Sequence, residues 1–271
     1  MFKLLSFISI SFIFLSCNNQ SQDKTNSIMD STTTVPQNSI DSIPYTYKTI
    51  KDNSQYFVEY DNNIDTTYFQ VTYPYFQDKI LNDSIKNIIL IDGESEFAEA
   101  SQSFIDGFDE YIGDSDGGVQ SSWSKDISTK VIVNTEKILT LLTNSYEYSG
   151  GIHGIHHAFF TILDPKSKRR IFWEDILQKN KFQQLTKIAE KRFRALNNLN
   201  ETEPLNKEFF FQDGIFSLND NFGLAKKSLI IYYNVYEIKP YSEGPTILEI
   251  PYEELNDVLN IQAKQYIKSI L

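Results

Sequence analysis

Cysteine is nearly absent from the 271 residues: the one thiol is Cys17, so no intrachain disulfide can form. Histidine is as scarce, with three residues confined to His153, His156 and His157. Basic residues are outnumbered, 25 Lys and Arg against 36 Asp and Glu, for a formal net charge of −11. That deficit argues against a nucleic-acid binder, whose affinity comes largely from neutralising phosphates. Also missing are His-Glu-x-x-His, Gly-x-Ser-x-Gly, a phosphate loop and a dinucleotide fingerprint. Apolar residues at 41% and charged residues at 23% nevertheless suffice for a real core, so most of the chain is expected to fold.

Long hydrophobic runs are lacking after the first sixteen residues. Met1 to Ser16 carries Lys3 and then an apolar run from Leu4 to Leu15, broken by serines. A membrane-spanning helix needs about 20 apolar residues, so the segment reads as a secretory leader. Cys17 directly after Phe14-Leu15-Ser16 resembles a bacterial lipobox, although Phe14 stands where leucine is usual. Acylation at Cys17 would anchor the mature protein to a lipid bilayer and consume the only thiol. The bland alternative is an ordinary leader with an incidental cysteine. Residues 17–44 are rich in Ser, Thr, Asn and Gln and read as a flexible tether. The expected localisation is the cell envelope, as an outer-membrane lipoprotein.

Beyond the tether, aromatic and β-branched residues alternate over 45–60 and 66–75, predicting paired strands around Asp61-Asn62-Asn63. Ile80, Leu81, Ile85, Ile88 and Ile89 follow helical spacing, as do Phe97, Phe104, Phe108, Tyr111 and Ile112. Strands are expected over 123–148 and 155–163, then a short helix at 173–177. A longer amphipathic helix follows at 182–199, with Phe182, Leu185, Ile188, Ala189, Phe193 and Leu196 on one face. A hairpin at 216–235 and a strand at 247–250 come next, and Pro251 opens a terminal helix. Strands and helices occur in blocks, so the expected class is α+β: a mainly antiparallel sheet packed with helices, in two closely associated subdomains at 45–145 and 146–271.

The histidines fall in Gly150-Gly151-Ile152-His153-Gly154-Ile155-His156-His157. Neighbours in a strand point to opposite faces. His153 and His157 would stand roughly 13 Å apart in extended chain, so no metal and no cofactor is expected. Gly150, Gly151 and Gly154 read as sites of positive φ or close backbone approach. The acidic run ending Asp114-Ser115-Asp116 begins like a calcium loop. Counting from Asp114, however, Val119 falls at the required glycine and Lys125 at the required glutamate, so it reads as a solvated helix end.

Two segments resemble one family. Tyr146-Glu147-Tyr148-Ser149-Gly150-Gly151-Ile152-His153-Gly154, followed by Asp164-Pro165 and Phe172-Trp173-Glu174-Asp175-Ile176-Leu177, is similar to the core of the PdaC/RsiV-like domains of unknown function. Tyr236-Glu237-Ile238-Lys239-Pro240-Tyr241-Ser242-Glu243-Gly244-Pro245, then Ile250-Pro251-Tyr252-Glu253-Glu254-Leu255, resembles the closing motif of the same family. The resemblance implies an extracytoplasmic α+β module without catalysis of its own. Such a module occurs in a lysozyme-binding anti-sigma factor and ahead of a peptidoglycan deacetylase domain. This chain is expected to lack both a sigma-binding segment and a deacetylase domain.

The candidate binding residues are therefore Gly150, Gly151, His153, Gly154, Tyr236, Glu237, Tyr241 and Gly244. The leading expectation is a non-catalytic binding module for a cationic muramidase-type protein or a cell-wall glycan. Two alternatives stay open: an envelope polysaccharide hydrolase using His153 with Glu237 as acid–base pair, and a purely scaffolding lipoprotein.

Overall fold

The computed structural model describes residues 31–34, 42–60, 62–91, 93–114 and 121–271. The leader, Cys17, most of the expected tether and residues 115–120 lie outside the described residues. Within the expected tether, Ser31–Thr34 forms strand β1 and pairs antiparallel with strand β2, Tyr45–Tyr60. Three consecutive threonines suit an extended backbone, and the exposed edge of β2 offers it partners.

β2 turns at Asn62, in the left-handed region at φ 63°, into strand β3, Asn63–Phe76. Asn tolerates that conformation better than most residues. Helix α1, Lys79–Ile89, starts where the Asp78 carboxylate accepts the Leu81 N–H at 3.1 Å, and buries Leu81, Ile85 and Ile89. Helix α2, Phe97–Gly113, buries Phe97, Ser101, Ile105 and Phe108. The two helices form a crossover, so strand β4, Ser124–Asn134, returns parallel to β3. Strands β5, Leu139–Tyr148, and β6, Ile155–Leu163, complete a six-stranded sheet ordered β1 to β6, antiparallel apart from that one pair. The sheet thus runs past residue 145, where the two subdomains were expected to divide. Leu139 pairs with Leu163 and Glu147 with Ile155, which places β6 in the first sheet.

One face of this sheet buries Phe69, Val71, Ile127, Leu139 and Leu141 beneath α1 and α2. The other face changes character along its width. Over β2, β3 and β4 it carries Thr49, Lys51, Gln70, Thr72 and Asp126, with Thr49 hydrogen-bonded to Thr72 at 2.9 Å. Toward one end of the strands it turns apolar, and Val133 near the end of β4, Ile138 just before β5 and Ile162 on β6 enter the core of the second subdomain.

That subdomain holds helices α3, Trp173–Ile176, and α4, Phe182–Leu196, then a three-stranded antiparallel sheet of β7, Phe222–Leu224, β8, Ser228–Tyr233, and β9, Thr246–Pro251. On α4, Leu185, Ala189 and Phe193 are buried, while Phe182 and Leu196 at its ends are exposed. Trp173 stacks on Phe222 with centroids 3.6 Å apart and donates to the Asn219 carbonyl at 3.1 Å.

The two sheets are joined at β6. The Asn221 carboxamide accepts the Phe160 N–H at 2.8 Å and donates to the Ala158 carbonyl at 2.7 Å. The Asn234 carboxamide accepts the Ala158 N–H at 2.7 Å and donates to the same carbonyl at 3.1 Å. Two side chains thereby satisfy the outer edge of a strand that would otherwise offer unpaired backbone groups.

The fold is α+β, as its blocks of strands and helices imply. The chain end corrects one expectation. Pro251 closes β9 and leads into a single 3-10 turn, Tyr252–Leu255, and the terminal helix α5 begins only at Ile261. Val258 and Leu259 are buried first, and both N–H groups return to the Leu255 carbonyl at 3.0 Å. Asn260 then caps α5 by accepting the Ala263 N–H at 2.8 Å, and its amide donates to the Asp175 carbonyl at 2.9 Å. Among the described residues no helix is long and apolar enough to cross a membrane.

Candidate functional site

The structure divides the candidate residues: Tyr241 and Gly244 line a cleft on the polar face of the first sheet, whereas Gly150 and His153 line a second cavity with Ile88, Lys125 and Glu147 on the helix-covered side. Gly150 and Gly151 have φ of 99° and 94°, conformations that side chains rarely adopt. They turn the chain between β5 and β6. Gly154 serves a different need: a Cβ there would lie 2.5 Å from the Tyr146 ring, so only hydrogen leaves room for that ring.

His153 stacks on Tyr241, with centroids 4.6 Å apart and planes 17° from parallel. The Tyr241 hydroxyl donates to the Gly154 carbonyl at 3.3 Å, and its ring meets Tyr236 at 5.3 Å. The two motif segments, some ninety positions apart in the chain, therefore touch through His153, Gly154 and Tyr241. Tyr236 holds φ of 65° and Gly244 φ of 70°, which shapes the corner that carries Tyr241.

Glu237 belongs to the frame of this corner. Its carboxylate accepts the Asn219 amide at 2.6 Å through one oxygen and the Asn234 N–H at 2.7 Å through the other. His153 instead has its Nδ1 3.0 Å from the Gly154 carbonyl. Among the described residues no hydrogen bond joins His153 to Glu237. The acid–base pair envisaged for a hydrolase is not assembled, because both carboxylate oxygens already serve the loop after β8.

The three histidines diverge. His153 lies on Tyr241, His156 on Tyr146 at 4.4 Å, and His157 on Phe159 at 5.9 Å. Alternation along β6 sends His156 and His157 to opposite faces, as geometry demands. Among the described residues no group of three or more His, Cys, Asp or Glu side chains is placed to hold a metal ion.

Between the motif corner and the sheet lies a cleft of about 510 Å³. Its floor comes from β4, β5 and β6 through Asp126, Ser128, Asn144, Tyr146 and His156; Tyr232, Tyr241 and Pro245 form the facing wall. Gln70 on β3 donates to Asp126 at 3.0 Å. Burial pushes the Asp126 carboxyl above its ordinary range, against the opposing pull of Lys51 and the Gln70 hydrogen bond. Lys51 itself lies over the Tyr68 ring, 4.7 Å from its centroid. A cleft of this size with aromatic walls and a few polar groups is the ordinary form of a small-ligand site.

Among these lining residues the sequence singles out Tyr241 and carries Tyr146 only within a family motif; Asp126, Ser128 and Asn144 are not singled out. One signal was available: polar side chains at 126 and 128, and at 144 and 146, share a face by simple alternation. Only the register of β4 with β5, which sets Asp126 opposite Tyr146, makes them one surface.

Residues 174–253 match the family model described as a protein of unknown function, DUF3298, and residues 60–156 match the one described as Deacetylase PdaC. Among solved structures, a DUF3298 family member from Bacteroides fragilis NCTC 9343 superposes with a TM-score of 0.65 at 22% identity, over 85% of this chain and 98% of that one. A DUF3298 family protein from Pseudomonas aeruginosa PAO1 gives 0.56 at 20% identity, over 79% and 95% respectively. At such identities the likeness establishes the fold. No curated protein matches significantly.

Proposed function

Because the chain belongs to the DUF3298 family, with a PdaC-type segment ahead of the DUF3298 one, we propose that it is a cell-envelope binding module, held to a membrane by acyl chains on Cys17, that captures a ligand without transforming it. The observation carrying this reading is the meeting of both motif segments at one edge of the cleft, through the His153–Tyr241 stack and the Tyr241 hydrogen bond to Gly154. Of the motif residues, Tyr146, Tyr241, Gly244 and Pro245 line this concave, aromatic-lined space.

A cell-wall glycan suits that space best. Tyrosine rings offer flat apolar faces for sugar rings, and Asp, Asn and Ser offer partners for hydroxyls. A net charge of −11 separately favours encounter with a cationic muramidase-type protein through long-range attraction. The two are separated by a glycan array and a lysozyme pull-down at low and high salt, each repeated with Tyr146→Ala and Tyr241→Ala. Glycan retention that both variants lose supports the cleft. Capture that weakens with salt but ignores both variants moves the site to the charged surface. Failure of both ligand classes rejects the binding reading. Anchoring is tested apart, by palmitate labelling.

A further inference from the structure

The chemistry of the cleft floor narrows the ligand. Asp126 is half-buried on β4, and one of its oxygens accepts the Gln70 amide at 3.0 Å. Desolvation dominates its surroundings even with Lys51 attracting it. A carboxylate removed from water in this way gains more from an incoming cation than an exposed one does. Beside it stands the Tyr146 ring, backed by the His156 imidazole at 4.4 Å and kept in place by the lack of a Cβ at Gly154. Aromatic rings attract cations over their faces as well as sugar C–H surfaces.

A neutral sugar would use the rings but add nothing to the pull that Lys51 already exerts on Asp126. A protein lysine would bring charge on a thin methylene stem and leave Ser128 and Asn144 without hydroxyl partners. A pyranose bearing an ammonium matches both sets of groups. We propose that the cleft binds an amino sugar with a free amine, the ammonium facing Asp126 and the ring lying on Tyr146. The proposal rests on the cleft being the binding site and names the ligand class for it.

Calorimetric titration with a tetramer of β-1,4-linked glucosamine, and with its fully N-acetylated counterpart, tests the assignment. The amine tetramer is expected to bind at least tenfold more tightly than the acetylated one. Asp126→Asn should abolish that preference by weakening the amine tetramer tenfold or more, leaving the acetylated one within about twofold. An unchanged unfolding midpoint would show that Asp126→Asn leaves the fold intact, as the Gln70 hydrogen bond allows. Equal affinity for both tetramers, lost together in Tyr146→Ala, overturns the ammonium assignment while keeping the cleft as a glycan site. Displacement of the tetramer by oligolysine with the same Asp126 dependence assigns the carboxylate to a protein cation and overturns the sugar. Binding of neither tetramer, alongside lysozyme capture in the pull-down, also overturns it and leaves the binding module standing.

Discussion

Replacing Gly223 by alanine tests how the two sheets are joined. Gly223 sits in β7 with ordinary extended backbone, so space alone decides the outcome. A Cβ built there falls 2.3 Å from Cδ1 of Phe160, 2.9 Å from Cγ and 3.0 Å from Cε1. Carbon atoms in favourable contact stand about 3.5–4.0 Å apart, so the ring must retreat by more than about 1 Å. It has little room: Phe160 is 5% exposed and its backbone is held by Asn221 at 2.8 Å. Overpacking of this kind costs about 1–3 kcal/mol, and the depth of the overlap points to the upper half. For a domain of this size that lowers Tm by roughly 4–10 °C, read by calorimetry or urea denaturation followed by tyrosine and tryptophan fluorescence. Phe160→Leu alone should cost about 1–1.5 kcal/mol. In the double variant the smaller side chain admits the new methyl, so the losses should fall short of additive by about 1 kcal/mol. If Gly223→Ala melts within a degree of the natural protein, the close approach of β7 to β6 is refuted, and with it the wall of the cleft.

Three further outcomes follow from the same geometry. Asn221→Ala strips the Phe160 N–H of its acceptor and the Ala158 carbonyl of a donor, and should cost about 1–3 kcal/mol in urea unfolding; a change below 0.5 kcal/mol, within about the noise of a surface substitution, would show that water replaces it. Asp175 is held below the usual carboxylate range, first by the Arg169 guanidinium at 2.8 Å and then by the Phe172 N–H at 2.9 Å, with burial opposing. Its stabilisation is present above the ordinary carboxylate pKa and lost as pH falls through the depressed folded value, so Asp175→Asn should cost about 1 kcal/mol at pH 7 and much less once acid has protonated the carboxyl; an equal cost at both pH values would contradict this. Cys17→Ala should abolish palmitate incorporation and release the protein from the membrane fraction, whereas a labelled variant would exclude Cys17 as the acylated residue.

Much of this architecture is legible along the chain. α1 and α2 follow their apolar spacing because each buries one stripe against a single sheet face. β5 and β6 fall where alternation and turn residues place them. The terminal helix is misplaced for a specific reason: Pro251 followed by two glutamates is a good local start. Burial of Val258 and Leu259, together with the Asn260 cap, nevertheless delays the α-helix to Ile261. The parallel return of β4 and the capture of β1 have no local signature, since both depend on which strand edge is left open by the rest of the fold.

The site divides in the same way. Glycine-rich turns, the closing corner and the divergence of adjacent histidines follow from chain chemistry, because φ preference and strand alternation act over a few residues. By itself, then, the amino-acid order determined most of the elements, the α+β class and the two segments that shape the corner. Tertiary structure decided what those segments face. Placing Asp126 opposite Tyr146, engaging Glu237 with Asn219 and Asn234, and setting Tyr241 on His153 each join residues from different strands or subdomains. Strand register and the packing of two sheets are collective choices made by the whole buried surface, and no local stretch of sequence contains them.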